Sequence, residues 1–241
     1  MKKTTKRLLS VILAVVIIAL GIGTYYMVPL LTMRPAETGR VLDTDIYALK
    51  NNNSTIFFFK TEDGYIMIDA GANQNIIDES VKPEYGQLVK NMGINTADVK
   101  WILITHTDGD HIASLALFQN AKIYMSEDVD RSGSGRNTVP SNIENDEVVF
   151  LKNNQELLCN ETIVKCIKAP GHTDGSMVYL IDRQYLFTGD AFKVVNGKVG
   201  VHPFTTNKAL AEETIKNLEE TINGSSLILT SHYGYYEKLE F

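Results

Sequence analysis

The sequence predicts an α+β body, two β-sheets packed face to face with helices outside, behind an N-terminal membrane-spanning helix. Three observations predict it. Residues 8–31 carry no charge. The rest of the chain alternates strands with mixed helix and strand, twice over, the pattern of a layered domain. Histidines and aspartates gather just beyond apolar strands rather than along helices.

The uncharged run (LLSVILAVVIIALGIGTYYMVPLL) is 24 residues long. As a helix it would extend roughly 36 Å, enough to cross a bilayer. Lys2, Lys3, Lys6 and Arg7 precede it, so the positive-inside rule keeps the N-terminus in the cytoplasm and sends the body outside. Tyr25 and Tyr26 suit the far interface. A cleaved leader is the alternative, with small residues at Ala19 and Gly21 or at Gly21 and Gly23. That leader would leave a secreted body instead of a single-pass membrane protein. The expected organisation is therefore an anchor at 1–34, a linker at 35–44 containing Pro35 and Gly39, and one domain at 45–241.

The chain holds 23 basic and 29 acidic residues, a net charge of −6. Five of the basic residues and none of the acidic ones fall before residue 35, which leaves 18 against 29, or −11, for the body. Such a field argues against a polyanionic nucleic-acid partner. With 44% hydrophobic and 22% charged residues, collagen-like, low-complexity and disordered chains are excluded.

Within the body, residues 45–50 and 55–60 (TIFFFK) are expected as strands. Asp63–Gly64 turns the second into 65–69 (YIMID), giving a hairpin. A weak helix is expected over 79–92. The buried strand 100–104 (KWILI) leads into a polar loop, an apolar helical stretch to Phe118, and a strand at 121–125. Residues 131–147 are loop-like. Strands are expected near 148–151, 156–159, 163–168, 176–181, 184–188 and 226–229. A helix capped by Thr206 or Asn207 should run to about 222, with Ala211, Ile215, Leu218 and Ile222 as its apolar stripe and Gly224 ending it. Cys159 and Cys166 flank a hairpin turn. Export permits a disulfide between them, and two small hydrophobes in a hairpin account for them equally well.

The chemistry lies at the strand ends. His106-Thr-Asp108-Gly-Asp110-His111 puts four metal-capable side chains in six residues. His172 follows Pro170-Gly171, Asp190 follows Thr188-Gly189, and His232 follows the strand ending near 229. Side chains at strand ends on one rim converge in a cleft. Two carboxylates and two imidazoles crowded this way perturb one another's protonation unless a cation sits among them. Imidazole nitrogen and carboxylate oxygen suit zinc or another first-row divalent ion.

Taken in order, Asp69-Ala70-Gly71, the His106 to His111 loop, His172, Asp190 and His232 resemble the signature of the metallo-β-lactamase superfamily, over about residues 40–241. The stretch Ala169-Pro-Gly-His-Thr-Asp-Gly-Ser176 with Leu186-Phe-Thr-Gly-Asp190 is similar to the glyoxalase II-like members. The resemblance implies a four-layer αββα sandwich and two divalent ions, most simply zinc. It implies that His106, Asp108 and His172 hold the first ion, that Asp110, His111 and His232 hold the second, and that Asp190 bridges. Asp69 would position the metal loop from behind it. One residue departs from the pattern: Asp108 stands where the family has its second His. A carboxylate there favours harder ions, so iron or manganese enter as options, and a further option is a weak first site with only the second filled.

The resemblance implies a metal-activated water attacking a carbonyl or phosphoryl centre, with Asp110 orienting it. A small ester, thioester, lactone or lactam is the expected substrate class, and Lys193, Tyr233 and His202 are candidate substrate contacts. The alternatives are a phosphodiesterase of the same fold, a di-iron redox protein and a partly metallated sensor. Nine residues follow His232, so the glutathione-binding helices of glyoxalase II, a cap domain and a flavodoxin-like domain are not expected.

Overall fold

The computed structural model describes residues 3–51, 53–71, 82–131, 136–140, 143 and 148–238. The chain divides into two compact units, Met1–Met33 and Arg34–Phe241. The first is a single helix, α1 (Lys3–Thr32). Its span Val11–Thr32 has a mean hydropathy of 2.4 and none of it is buried. A helix apolar all round with no core of its own belongs in lipid or in a leader sequence. The side chains of Tyr25 and Tyr26 lie outside the described residues.

The body contains two main sheets. The first runs β1 (Gly39–Arg40), β2 (Ile46–Asn51), β3 (Ser54–Thr61), β4 (Gly64–Ile68), β5 (Val99–Leu103), β6 (Lys122–Ser126) and β7 (Val148–Leu151), each beside the next. The second has the order β15 (Tyr235–Glu237), β14 (Leu227–Leu229), β11 (Tyr185–Phe187), β10 (Met177–Ile181), β9 (Thr162–Lys168), β8 (Gln155–Cys159). A small ribbon, β12 (Lys193–Val195) with β13 (Lys198–Gly200), stands apart.

The apolar run of β3 follows from burial on both faces. Phe57 and Phe59 point into a cluster that includes Val164, Cys166, Tyr179, Phe187 and Leu229 of the second sheet. Ile56 and Phe58 point the other way, toward Tyr85 and Val89 of α2 (Lys82–Asn91). Phe57 meets Phe187 edge-on at 5.6 Å between ring centroids, worth about 0.5–1.5 kcal/mol beyond its burial. Behind the second sheet, Val178, Leu186 and Ile228 pack on Leu218 and Ile222. Those two residues come from the segment holding α4 (Lys208–Asn217) and α5 (Glu219–Gly224). The layers are thus helix, sheet, sheet, helix, the expected αββα sandwich.

Several local expectations change. Residues 35–44 are part of the body's sheet rather than a linker: Gly39 and Arg40 pair with Ala48 and Tyr47, and Ala36 and Val41 are buried between the sheets. The apolar stretch after Asp110 is only α3 (Gly109–Ile112) and one 3₁₀ turn at Leu115–Leu117, since Ser114 N–H and Oγ both donate to Ala70 O and divert the chain. The C-terminal helix breaks at Leu218; its start is capped by Asn207, whose Oδ1 accepts from Leu210 N. Cys159 and Cys166 are free. Hairpin register sets Cys159 opposite Thr162 and Cys166 opposite Gln155, so both thiols serve as small buried groups between the sheets. Part of the loop expected over 131–147 and the start of the helix expected over 79–92 lie outside the described residues.

Strand direction brings the motifs to one rim. β4 and β5 are parallel, so Asp69 and the His106 loop leave the first sheet at the same edge. β11 and β14 are parallel, and β9 runs with β11 because each is antiparallel to β10. His172, Asp190 and His232 therefore leave the second sheet together.

Candidate metal centre

Asp69 organises the loop from behind. It sits at φ 62, in the left-handed region, and is buried. Its Oδ1 accepts from Thr105 N at 2.7 Å, and its carboxylate accepts from Thr105 Oγ1 at 2.9 and 3.0 Å. Oδ2 lies 2.8 Å from His111 Nδ1. The glycine two residues on is a steric necessity, because a Cβ on Gly71 would lie 1.5 Å from Asp110 O. Gly189 plays the same part across the sheets, at φ 52 with its Cβ position 2.2 Å from Thr105 Oγ1.

These contacts fix which imidazole nitrogen faces the centre. His111 directs Nδ1 to Asp69. His106 directs Nδ1 to Thr105 Oγ1 at 3.1 Å. His232 directs Nδ1 to Asn53 O at 2.5 Å. A carbonyl or carboxylate partner requires the proton on Nδ1, which leaves the Nε2 lone pairs of His111 and His232 aimed inward.

Around those nitrogens stand three carboxylates. His111 Nε2 is 3.7 Å from Asp110 Oδ2 and 3.7 Å from Asp190 Oδ1, and His232 Nε2 is 3.4 Å from Asp110 Oδ2 and 3.2 Å from Asp190 Oδ2. On the other side, His106 Nε2 and His172 Nε2 lie 3.4 and 3.2 Å from Asp108 Oδ2, and 3.9 and 3.5 Å from Asp190 Oδ2. Donor atoms in a tetrahedron around an ion about 2.0–2.1 Å away would be separated by about 3.3 Å, so both spacings match a divalent cation. Among the described residues, His106 Nε2, His111 Nε2 and Asp190 Oδ1 are buried without a hydrogen-bond partner, the condition a ligated metal removes. The residues fit the metal that the donor chemistry implies.

Electrostatics agree. Burial pushes His111 down, but Asp110, Asp69 and Asp190 outweigh it and lift the imidazolium to about 10. Burial pushes Asp190 up, but His202, His232 and His111 hold it well below the usual carboxylate range. Burial, with neighbouring His111, holds His106 below its ordinary value. Without an ion the carboxylates draw positive charge from His111 and His232, whose values rise against the opposing effect of burial, and a cation meets the same demand while leaving the rings neutral.

His202 is brought in from the segment after β13. It is buried, with ring centroids 5.1 Å from His172, 5.3 Å from His232 and 5.9 Å from Tyr233. Its Nε2 lies 3.7 Å from Asp190 Oδ2, and burial drives its pKa down to about 3. Lys193 and Tyr233 meet each other, Nζ lying 5.6 Å from the ring centroid. Sequence reasoning passed over Arg136. Its Nε donates to Asp108 Oδ1 at 2.6 Å, Nη2 donates to Asp108 Oδ2 and lies 2.9 Å from His172 Nε2, and Nη1 donates to Thr206 Oγ1 at 3.1 Å. Burial would raise Asp108, but Arg136, then His106 and His172, hold its carboxyl far below the usual range.

A family model for the metallo-beta-lactamase superfamily matches residues 49–224. A probable metallo-hydrolase from Methanocaldococcus jannaschii is 26% identical over 172 residues, 68% of this chain and 74% of that one. A hydroxyacylglutathione hydrolase from Glaesserella parasuis is 35% identical over 94 residues, 37% of this chain; the chain spans only 34% of that relative's length. Among solved structures, one described as the first B3 metallo-beta-lactamase with an active site glutamic acid aligns at TM-score 0.60 and 16% identity, covering 87% of this chain and 90% of that one.

Proposed function

This chain belongs to the metallo-beta-lactamase superfamily and is a metallo-hydrolase, and from that premise we propose that it cleaves a small ester, thioester, lactone or lactam at the outer face of a membrane. The observation that carries the chemistry is the convergence of His111 Nε2, His232 Nε2 and Asp110, with Asp190 beside both imidazoles and each imidazole fixed through its outer nitrogen. These four residues are the proposed ligands of one divalent ion, zinc being the natural occupant of such a nitrogen and oxygen set. A bound ion supplies Lewis acidity and an acidified water near neutral pH.

The chain's own groups do the rest. Asp110 is the least buried of this set, its side chain 31% exposed, so it reaches the solvent side of the centre. There it accepts a proton from the attacking water and aims the oxygen at the acyl carbon. Asp69 keeps the His111 proton on Nδ1 through the reaction. Lys193 and Tyr233 form the rim and contact the substrate beyond its scissile bond. The M. jannaschii and G. parasuis relatives support hydrolysis. The acidic body favours a neutral or cationic substrate over a polyanion.

Helix α1 anchors the body, and the four basic residues before its apolar span hold the N-terminus in the cytoplasm. The test uses full-length protein in detergent. Chromogenic ester, thioester, lactone, β-lactam and bis-phosphodiester substrates are compared, with His111→Ala as the inactive control. Turnover of an acyl substrate that His111→Ala abolishes supports the reading. Turnover of the phosphodiester alone, or no turnover by metal-loaded protein, refutes it. Protease added to intact cells should digest the body; protection would refute the orientation.

A further inference from the structure

We infer that the guanidinium of Arg136 takes the place of the first metal ion, so that this enzyme is a one-metal centre whose second positive charge belongs to the protein. The inference rests on the metallo-hydrolase reading above and deepens it.

Three independent features point here. The first is chemical. Asp108 stands at the position where an imidazole would otherwise ligate, and a carboxylate is the side chain a guanidinium fork recognises with two parallel hydrogen bonds. Arg136 makes those two bonds, and the same Nη2 comes to His172 Nε2. The guanidinium therefore engages two of the three side chains, Asp108 and His172, that would hold a first ion. Of the three first-half groups, Asp108 and His172 Nε2 have hydrogen-bond partners, and His106 Nε2 alone among them is buried without one.

The second feature is placement. Arg136 follows a Gly- and Ser-rich stretch of sequence, and the residue after it is pinned. Asn137 sits at φ 70, its Oδ1 accepts from Gly175 N at 3.0 Å, and its Nδ2 donates to Asp128 O at 3.2 Å. Its carbonyl accepts from Asp130 N, and Val139 N donates to Asp130 O. Thr206, which receives Nη1 of Arg136, is itself tied by its N–H to His172 O. The arginine is thus steered into the site by bonds to two other segments, one of which carries His172.

The third feature is charge. Asp108, Asp110 and Asp190 face the centre with three negative charges. One divalent ion and one guanidinium supply three positive charges. Two divalent ions beside the same guanidinium would leave an excess of two among groups a few ångströms apart, a repulsive arrangement even with Arg136 partly exposed.

The test is metal content of the full-length chain in detergent. Protein is loaded with excess zinc, desalted and analysed, and a parallel sample is loaded with Mn²⁺ for electron paramagnetic resonance. The wild type should retain one ion per chain and show an isolated Mn²⁺ signal. Arg136→Met keeps the length and removes the fork and the charge; it should retain close to two ions and show a spin-coupled pair. Two ions in the wild type would overturn the inference and leave the hydrolase reading intact. One ion in both proteins would also overturn it, because the first half would then be weak without help from the arginine. No ion in the wild type would overturn the hydrolase reading itself. If Arg136→Met fails to fold, Arg136→Gln is analysed the same way, and two ions in the wild type overturn the inference without any variant.

Discussion

Asp69→Asn separates geometry from electrostatics at the metal loop. The substitution keeps size and shape and alters one oxygen. In the wild type the carboxylate accepts from Thr105 N at 2.7 Å on one side and from His111 Nδ1 at 2.8 Å on the other. An amide has one accepting end. If its oxygen stays on Thr105 N, its NH₂ faces His111 and drives the imidazole proton from Nδ1 to Nε2, which blocks Nε2 as a ligand. If it flips, two N–H donors face each other at Thr105. Either way one buried donor is left unsatisfied, about 1–3 kcal/mol. Loss of such a supporting contact costs about 10–100-fold in metal affinity, or about 1.4–2.7 kcal/mol. Competition against a zinc-chelating dye reads the affinity, and circular dichroism checks that the fold survives. Unchanged affinity in a folded variant would refute the claim that Asp69 sets the His111 tautomer.

Three further outcomes follow from the same geometry. Gly71→Ala places a methyl carbon 1.5 Å from Asp110 O, so the loop must retreat by about 1.5–2 Å, while ligand distances tolerate about 0.2 Å; metal analysis of the folded variant should find the ion lost, and full occupancy would show that the loop yields without cost. Chelation should lower the melting temperature: an ion present at about a thousand times its dissociation constant contributes about 4 kcal/mol, or about 8–16 °C for a domain of this size, and an unchanged melting temperature would mean the centre holds no ion. Burial pushes the Cys159 and Cys166 thiols from 9.0 to about 12, so both should react about a thousandfold more slowly with a thiol reagent in the folded protein at pH 8. Because both values are raised, their contribution to stability is complete below pH 9 and is lost as pH rises from 9 toward 12; rapid labelling of the native protein would contradict their burial.

The parts of the molecule legible in the sequence share a physical cause. Strands buried on both faces lose their polar alternation, so β3 and the ends of β4, β5 and β11 stand out as apolar runs. Asp69, His106 and Asp190 could each be placed just beyond the end of such a strand from that rule alone. Parallel pairing of β4 with β5 and of β11 with β14 then supplies the convergence, which the sequence does not state. Residues whose placement depends on a loop were obscure for the same reason. His202 follows a two-stranded ribbon with no motif near it, and its burial against His172 and His232 depends on how that ribbon folds back. Edge strand β1 is two residues long, too short to carry an alternating pattern, so the segment around it resembled a linker.

Asp108 illustrates how a single departure from a pattern depends on a partner elsewhere in the chain. Read alone, a carboxylate in place of an imidazole argues for a harder metal, because oxygen prefers iron or manganese more than nitrogen does. Read with Arg136, 28 residues away, the same carboxylate has its charge met inside the protein, and the preference for a harder ion loses its basis. The two residues make sense as a pair: a histidine at 108 would leave the guanidinium without its bidentate acceptor, and a neutral residue at 136 would leave Asp108 open to a second ion. Exchanging them singly and together is therefore a double-mutant cycle in metal affinity. In metal affinity, the combined change of Asp108→His with Arg136→Met should differ from the sum of the two single changes by about 0.5–3 kcal/mol. Additive behaviour would place Asp108 and Arg136 in separate roles despite their contact.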